Sequence, residues 1–176
     1  MSEIKLVKPT AEYKGQVMLL RKTFLDNDES FAGCAGLEEC ETYEEWIDFD
    51  RRLSEKYKES FTLSTVYLAI RISDNKLVGI IDFRHELSDF LLNYGGNIGY
   101  SIMIGERRKG YGKEMLKLCL EECKKFGKDK VLLTCDKENT ASARTIKANG
   151  GILENEVKDD VGLSESGTIQ RYWITL

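Results

Sequence analysis

The chain has 176 residues and a mass of 20.1 kDa, with 41% hydrophobic and 32% charged residues and one proline. That composition excludes a disordered or collagen-like chain, and the length suits one domain over residues 1–176 that needs no disulfide or metal staple. Thirty acids against twenty-six bases leave a net charge of −4, which speaks against nucleic acid or an anionic membrane as a partner. The longest apolar runs, such as Leu77-Val78-Gly79-Ile80-Ile81, fall short of the roughly 20 residues of a membrane span, and Met1-Ser2-Glu3-Ile4-Lys5 does not read as a secretory signal.

Ile4 to Val7 is predicted as a strand, and Thr10 as the cap of a helix carrying Tyr13, Val17, Leu20 and Phe24 at helical spacing. An acidic loop over 26–41 follows, then a capping-box pair, Thr42 and Glu45, opening a helix with Trp46, Phe49, Leu53 and Tyr57 on its apolar face. Val66, Leu68, Ile70 and Ile72 alternate as in a strand, a turn over 73–76 intervenes, and a second strand covers 77–83. Beyond Arg84-His85-Glu86 a strand over 98–104 runs into a glycine turn and a helix that ends at Phe126-Gly127. A strand over 131–135, a short helix capped by Asn139 or Thr140, and strands over 152–157 and 168–176 complete an α/β (α+β) chain with a mixed sheet.

Cys34, Cys40, Cys119, Cys123 and Cys135 contain no CxxC pair and His85 is the lone histidine, so no metal site is expected and a reducing cytoplasm fits. The informative segment is Gly105-Glu106-Arg107-Arg108-Lys109-Gly110-Tyr111-Gly112, between a strand and a helix. A helix starting there offers unpaired amides and the positive end of its dipole, and Arg107, Arg108, Lys109 and Lys113 add charge, so the turn reads as an anion site for a phosphate or pyrophosphate. A Walker A loop fails because Tyr111 stands where lysine is required after Gly110, and a dinucleotide GxGxxG fails at Met115, which disfavours ATP and NAD.

Arg107-x-x-Gly110-x-Gly112 resembles the signature of the GNAT superfamily of acyl-CoA N-acyltransferases, and Asn139, three residues before Ser142 and eleven before Gly150, is similar to the family's second motif. With Asn97-Ile98-Gly99-Tyr100-Ser101 these cover about the last half of the chain. The resemblance implies a mostly antiparallel sheet of about seven strands with about four helices and a splayed central pair, 98–104 and 131–135. It implies acetyl-CoA, without a metal, as donor to a primary amine of a small molecule or peptide, by direct attack on the thioester, in a monomer or homodimer. A non-catalytic acyl-CoA-binding module is the alternative.

Carried over by residue, the resemblance implies that Arg107, Arg108, Lys109, Gly110, Tyr111, Gly112 and Lys113 surround the pyrophosphate. Backbone of Ile102, Met103 and Ile104 would pair with the pantetheine arm, a backbone N–H near Met103 would meet the oxyanion, and Asn139 and Ser142 would contact the cofactor. Because an amine of pKa about 10.4 is almost wholly protonated at neutral pH, a base is expected. His85 and Glu86 are the first candidates, followed by Asp82. The tyrosine that many family members use to protonate the thiolate is replaced by Ile146, so either another residue such as Tyr100 or Tyr172 serves or the thiolate leaves without help. The acids of the 26–41 loop could draw a cationic amine or could simply be solvated.

Overall fold

The computed structural model describes residues 2–54 and 63–176, with only the backbone of Leu53 and Ser54. Ile4–Val7 (β1), Ser64–Arg71 (β2), Lys76–Arg84 (β3) and Ile98–Ile102 (β4) form an antiparallel sheet in the order β1-β2-β3-β4. Lys130–Asp136 (β5), Ile152–Lys158 (β6) and Thr168–Thr175 (β7) form a second antiparallel sheet in the order β5-β7-β6. The α-helices among the described residues are Lys14–Leu25 (α1), Tyr43–Ser54 (α2), Tyr111–Lys125 (α3) and Thr140–Lys147 (α4).

Each face of the first sheet buries an apolar stripe. Val17, Leu20 and Phe24 of α1 and Trp46 of α2 pack with Val66, Leu68, Ile70 and Ile80. On the opposite face Met115, Leu116, Cys119 and Cys123 of α3 pack with Ile81, Phe83, Val131 and Leu133. The helical period predicted for α1 thus marks its buried side, but Thr10 makes no side-chain cap. A 3₁₀ turn at Ala11–Tyr13 begins there instead, with Thr10 O accepting from Tyr13 N–H at 3.0 Å. The capping box at α2 forms in both directions, Glu45 N–H to Thr42 Oγ1 and Thr42 N–H to Glu45 Oε2, each at 3.2 Å. The expected apolar contributions of Leu53 and Tyr57 lie outside the described side chains. Ile72, predicted to continue β2, is 55% exposed in the turn, because the strand and its pairing with β3 end at Arg71.

The two sheets meet through Asn97. Its N–H donates to Leu132 O at 2.7 Å, its Oδ1 accepts from Leu132 N–H at 2.9 Å, and its Nδ2 donates to Arg84 O at 3.1 Å. One buried amide therefore bonds both β3 and β5 at the point where β4 begins. Beyond it β4 and β5 share no ladder, which leaves a slot between the sheets.

Candidate active site

Strand parity decides what faces this slot. Arg84 N–H donates to Asn97 O at 2.7 Å and Met103 N–H to Val78 O at 2.9 Å, so the polar groups of Gly99, Ser101 and Met103 are turned toward β3. Those of Tyr100 and Ile102 point the other way, into the slot. On β5 the bond at Leu132 sets the same alternation and turns the backbone of Thr134 toward β4. Buried backbone groups rarely go without partners, so these edges suit a ligand that carries amides of its own. The Met103 N–H itself is committed to the sheet, so an N–H near Met103 that faces the slot belongs to a neighbour. Outward-facing N–H groups belong to Tyr100 and Ile102, while Ile104 lies in a 3₁₀ turn, Ile104–Glu106.

The glycine turn lies where β4 hands over to α3. Arg108 (φ 63°) and Gly110 (φ 89°) both adopt the left-handed region, and α3 begins with no side-chain cap. The amides of Tyr111, Gly112 and Lys113 are the first of the helix, without acceptors inside it. The side chains around them divide into two groups. Arg108 and Lys113 are exposed and make no ion pair among the described residues. Arg107 instead holds Glu29 through Nη1 and Nη2 at 2.8 and 2.7 Å. Lys109 bonds Glu106 at 2.9 Å, and the buried Tyr111 hydroxyl accepts from Arg71 Nη1 at 3.3 Å. Two of the four predicted bases are thus neutralised by carboxylates that lie outside the motif or at its edge.

Glu106, 3% exposed, also accepts from Lys76 at 2.6 Å and Arg71 at 2.8 Å. Hydrogen bonds from Lys76 and Lys109, followed by attraction to Lys76 and the Arg71 bond, hold its carboxyl down from 4.5 to about 2 against the opposing effect of burial. A carboxyl lowered on folding stabilises the fold above its unfolded value, and that stability is lost as pH falls through the folded value. Glu106→Gln is therefore expected to unfold at lower temperature than wild type at about pH 7, with the gap closing between 4.5 and about 2. Calorimetric scans of both proteins over that range check this, and a gap independent of pH refutes it.

At the far side of the slot Asn139 caps α4, its Oδ1 accepting from Ser142 N–H at 3.0 Å. The structural alternative for Asn139 is therefore realised. Ser142 Oγ lies 3.0 Å from the hydroxyl of Tyr100, which reaches across from β4, and burial pushes that phenol up to about 12. Ile146 is wholly buried, and so is Tyr172, whose hydroxyl donates to Gln170 Oε1 at 2.6 Å. Of the two tyrosines considered as substitutes, only Tyr100 spans the slot.

His85 and Glu86 are not brought to it. The His85 ring stacks 4.3 Å from Phe126, just past the C-terminal end of α3, and its Nε2 lies 2.9 Å from Thr65 Oγ1. The glycine turn is at the other end of that helix, about 22 Å away at 1.5 Å per residue. Burial, with Lys128 and Lys8 nearby, lowers the His85 pKa, and Glu86 is exposed beside it. Asp82 is the base candidate adjoining β4. It pairs in register with Gly99 and is 4% exposed. Its Oδ2 accepts from Arg84 at 3.1 Å, and its Oδ1 has no partner among the described residues. Burial raises its pKa, and Arg84 opposes the rise. All five cysteines are free, and no metal-holding cluster of His, Cys, Asp and Glu occurs among the described residues.

A sheet opened between two strands, with an uncapped glycine turn at the mouth of the opening, is the architecture of a CoA-dependent acyltransferase. Residues 18–152 match the Acetyltransferase (GNAT) domain family, and the chain belongs to this family of acetyl-CoA-dependent acetyltransferases. No curated protein matches it in sequence. Among solved structures it is similar to the microcin C7 self-immunity acetyltransferase MccE in complex with acetyl-CoA and AMP, with a TM-score of 0.72 and 17% identity over 100% of this chain and 94% of that one. RimL, a ribosomal L7/L12 α-N-protein acetyltransferase in complex with coenzyme A, gives 0.71 and 16% over 100% and 96%. RimJ of Mycobacterium smegmatis in complex with CoA-disulfide gives 0.73 and 15% over 98% and 81%. At these identities the likeness is one of fold.

The residues present fit acetyl-CoA. Its diphosphate would meet amides and two cations without ion pairs at the turn, and its amide-bearing arm would meet the slot-facing backbone of Tyr100, Ile102 and Thr134, where Ile102 O accepts from Arg107 Nε at 3.2 Å. No helix among the described residues is long and apolar enough to cross a membrane.

Proposed function

We propose that this chain is a single-domain enzyme of a reducing cytoplasm that acetylates the free amino group of a peptide or protein by direct attack on acetyl-CoA. The observation that carries the donor half is the slot between β4 and β5, which opens beyond Asn97 and leads to the uncapped start of α3. The acceptor half is supported by RimL, described as an α-N-protein acetyltransferase that acts on a ribosomal protein.

When bound, acetyl-CoA supplies the electrophilic thioester. Amides of residues 108–113, with Arg108 and Lys113, hold its diphosphate, and the edges of Tyr100, Ile102 and Thr134 orient its arm. The slot-facing N–H groups of Tyr100 and Ile102 polarise the carbonyl. Asp82, through water, accepts the amine proton at Oδ1. The Tyr100 hydroxyl, kept protonated by a pKa of about 12 and held by Ser142, donates a hydrogen bond to the departing sulfur.

The test is thermal unfolding with acetyl-CoA, CoA, ATP or NAD, followed by thiol release with peptides of free or blocked N-terminus. Acetyl-CoA at about 100 times its Kd is expected to add roughly 2.7 kcal/mol and raise the midpoint by about 5–10 °C, with little effect from ATP or NAD. Thiol release is expected only with free amines. No shift with either CoA species removes the donor assignment; a shift without turnover on any amine favours a binding module.

A further inference from the structure

On the face of the first sheet that carries α1 and α2, several buried polar groups are left open. The buried side-chain atoms without a hydrogen-bond partner among the described residues are Asp50 Oδ1, Ser64 Oγ, Asp82 Oδ1 and Ser164 Oγ, and the first three come from α2, β2 and β3. Ser64 pairs in register with Arg84 and Val66 with Asp82, which sets Ser64, Asp82 and Arg84 on the side of the buried Val66. Asp50 follows the buried Trp46 by one helical turn, on the face that packs there. Arg84 and Asp82 do not form the two-bond fork open to such a pair; they share a single bond, Nε to Oδ2 at 3.1 Å. Arg84 Nη1 is spent on Gly95 O at 2.8 Å and Gly96 O at 3.2 Å, while Nη2 makes no hydrogen bond among the described residues. The guanidinium lies over Gly99, where a Cβ would come within 2.9 Å of Nη2. Gly99 adjoins Tyr100, whose N–H faces the slot. One ion pair thus presents an open acceptor and an open donor beside the reaction centre.

We propose that Arg84 determines which amine is acetylated: its open Nη2 donates to a carbonyl attached to the amine-bearing carbon, while Asp82 Oδ1 takes up the amine proton through water. The inference rests on the acetyltransferase reading and deepens its acceptor half. The chemistry selected is an α-aminoacyl group, which carries its carbonyl oxygen close to the amine, as the open atoms of Asp82 and Arg84 are close to each other. A guanidinium is not deprotonated in a protein, so the donor is present at every working pH. A lysine side chain brings its amine on a run of methylenes and offers Nη2 no carbonyl, which leaves a charged donor without a partner once the acceptor has displaced water. Asp50 and Asp82 together favour a cationic amine over a neutral or anionic guest on this side of the sheet.

The test compares thiol release from acetyl-CoA with a lysine-free peptide whose N-terminus is free, the same peptide N-blocked and carrying a lysine, and the free amino acid that begins the peptide. Rates are taken as kcat/KM per free base, which removes the difference between an α-amine of pKa about 8 and a lysine of about 10.4. The free N-terminus is expected to exceed lysine by about tenfold or more in wild type, the size of one hydrogen bond to a charged group, and by no more than about threefold in Arg84→Met. The substitution also removes the cation that opposes the raised pKa of Asp82, but that loss falls on both acceptors and cancels in the ratio. A second measurement needs no variant: wild type is expected to use alanine amide about tenfold or more better than its isostere with an isopropyl group in place of the carboxamide. A free amino acid that outpaces the peptide supports Arg84 while moving the acceptor from a protein to an amino acid. Equal use of the two small amines, or a peptide preference that Arg84→Met leaves intact, overturns the proposal. Absence of thiol release with every amine defeats the acetyltransferase reading itself.

Discussion

Gly33→Ala is expected to lower the thermal midpoint by about 5–15 °C and to make the thiol of Cys34 reactive. Gly33 has φ +74°, and a Cβ on it would lie 2.1 Å from Gly99 O and 2.5 Å from Tyr100 N. These atoms belong to the backbone of β4 and cannot rotate aside. The loop must lift from the strand, at a cost of about 1–3 kcal/mol for overpacking and about 1–2 kcal/mol for a left-handed alanine. Cys34 is fully buried, its pKa pushed up to about 12 by burial, and its carbonyl accepts from Trp46 Nε1 at 2.9 Å. Lifting the loop exposes the thiol to alkylation and changes Trp46 emission. An alanine variant that melts within about 2 °C of wild type with Cys34 still inert would show that the loop is not seated on β4 in this way.

The second large effect is expected at Asn97. Asn97→Leu keeps the volume and the N–H bond to Leu132 O but strips partners from Leu132 N–H and Arg84 O. Each orphaned group costs about 1–3 kcal/mol, so a total of about 2–6 kcal/mol is expected in denaturant unfolding. Because this amide joins the sheets where the slot begins, weaker acetyl-CoA binding is expected along with the lost stability. A drop in stability with unchanged acetyl-CoA affinity would show that the joint does not set the slot's width. An unchanged denaturation midpoint would refute the bridge itself.

Local features were readable because their causes are local. The capping box of Thr42 and Glu45, the stripe of α1 and the glycine turn before α3 each depend on residues within one or two helical turns. The Asn139 cap depends on Ser142, three residues on. Ile72 was misjudged because alternation in sequence continues past the point where pairing with β3 has ended.

The site's polar assignments needed more than spacing. Whether Met103 or its neighbours Tyr100 and Ile102 present backbone to the slot depends on pairing parity with β3, which one residue of register inverts. His85 follows a strand next to the slot's own, but it emerges at the wrong end of the sheet and settles on Phe126. Glu29 stands 78 residues from Arg107, and nothing in the acidic run around it distinguishes the carboxylate that will be used.

By itself the sequence determined the element order, the glycine turn before α3 and the family, because apolar periodicity, caps and glycines act over a few residues. Tertiary structure alone decided which of the turn's cations remain free, which N–H groups face the slot, and that Asn97 joins two sheets. Those outcomes follow from register and from ion pairs closed between distant segments, where the competing partners differ only in where the fold places them.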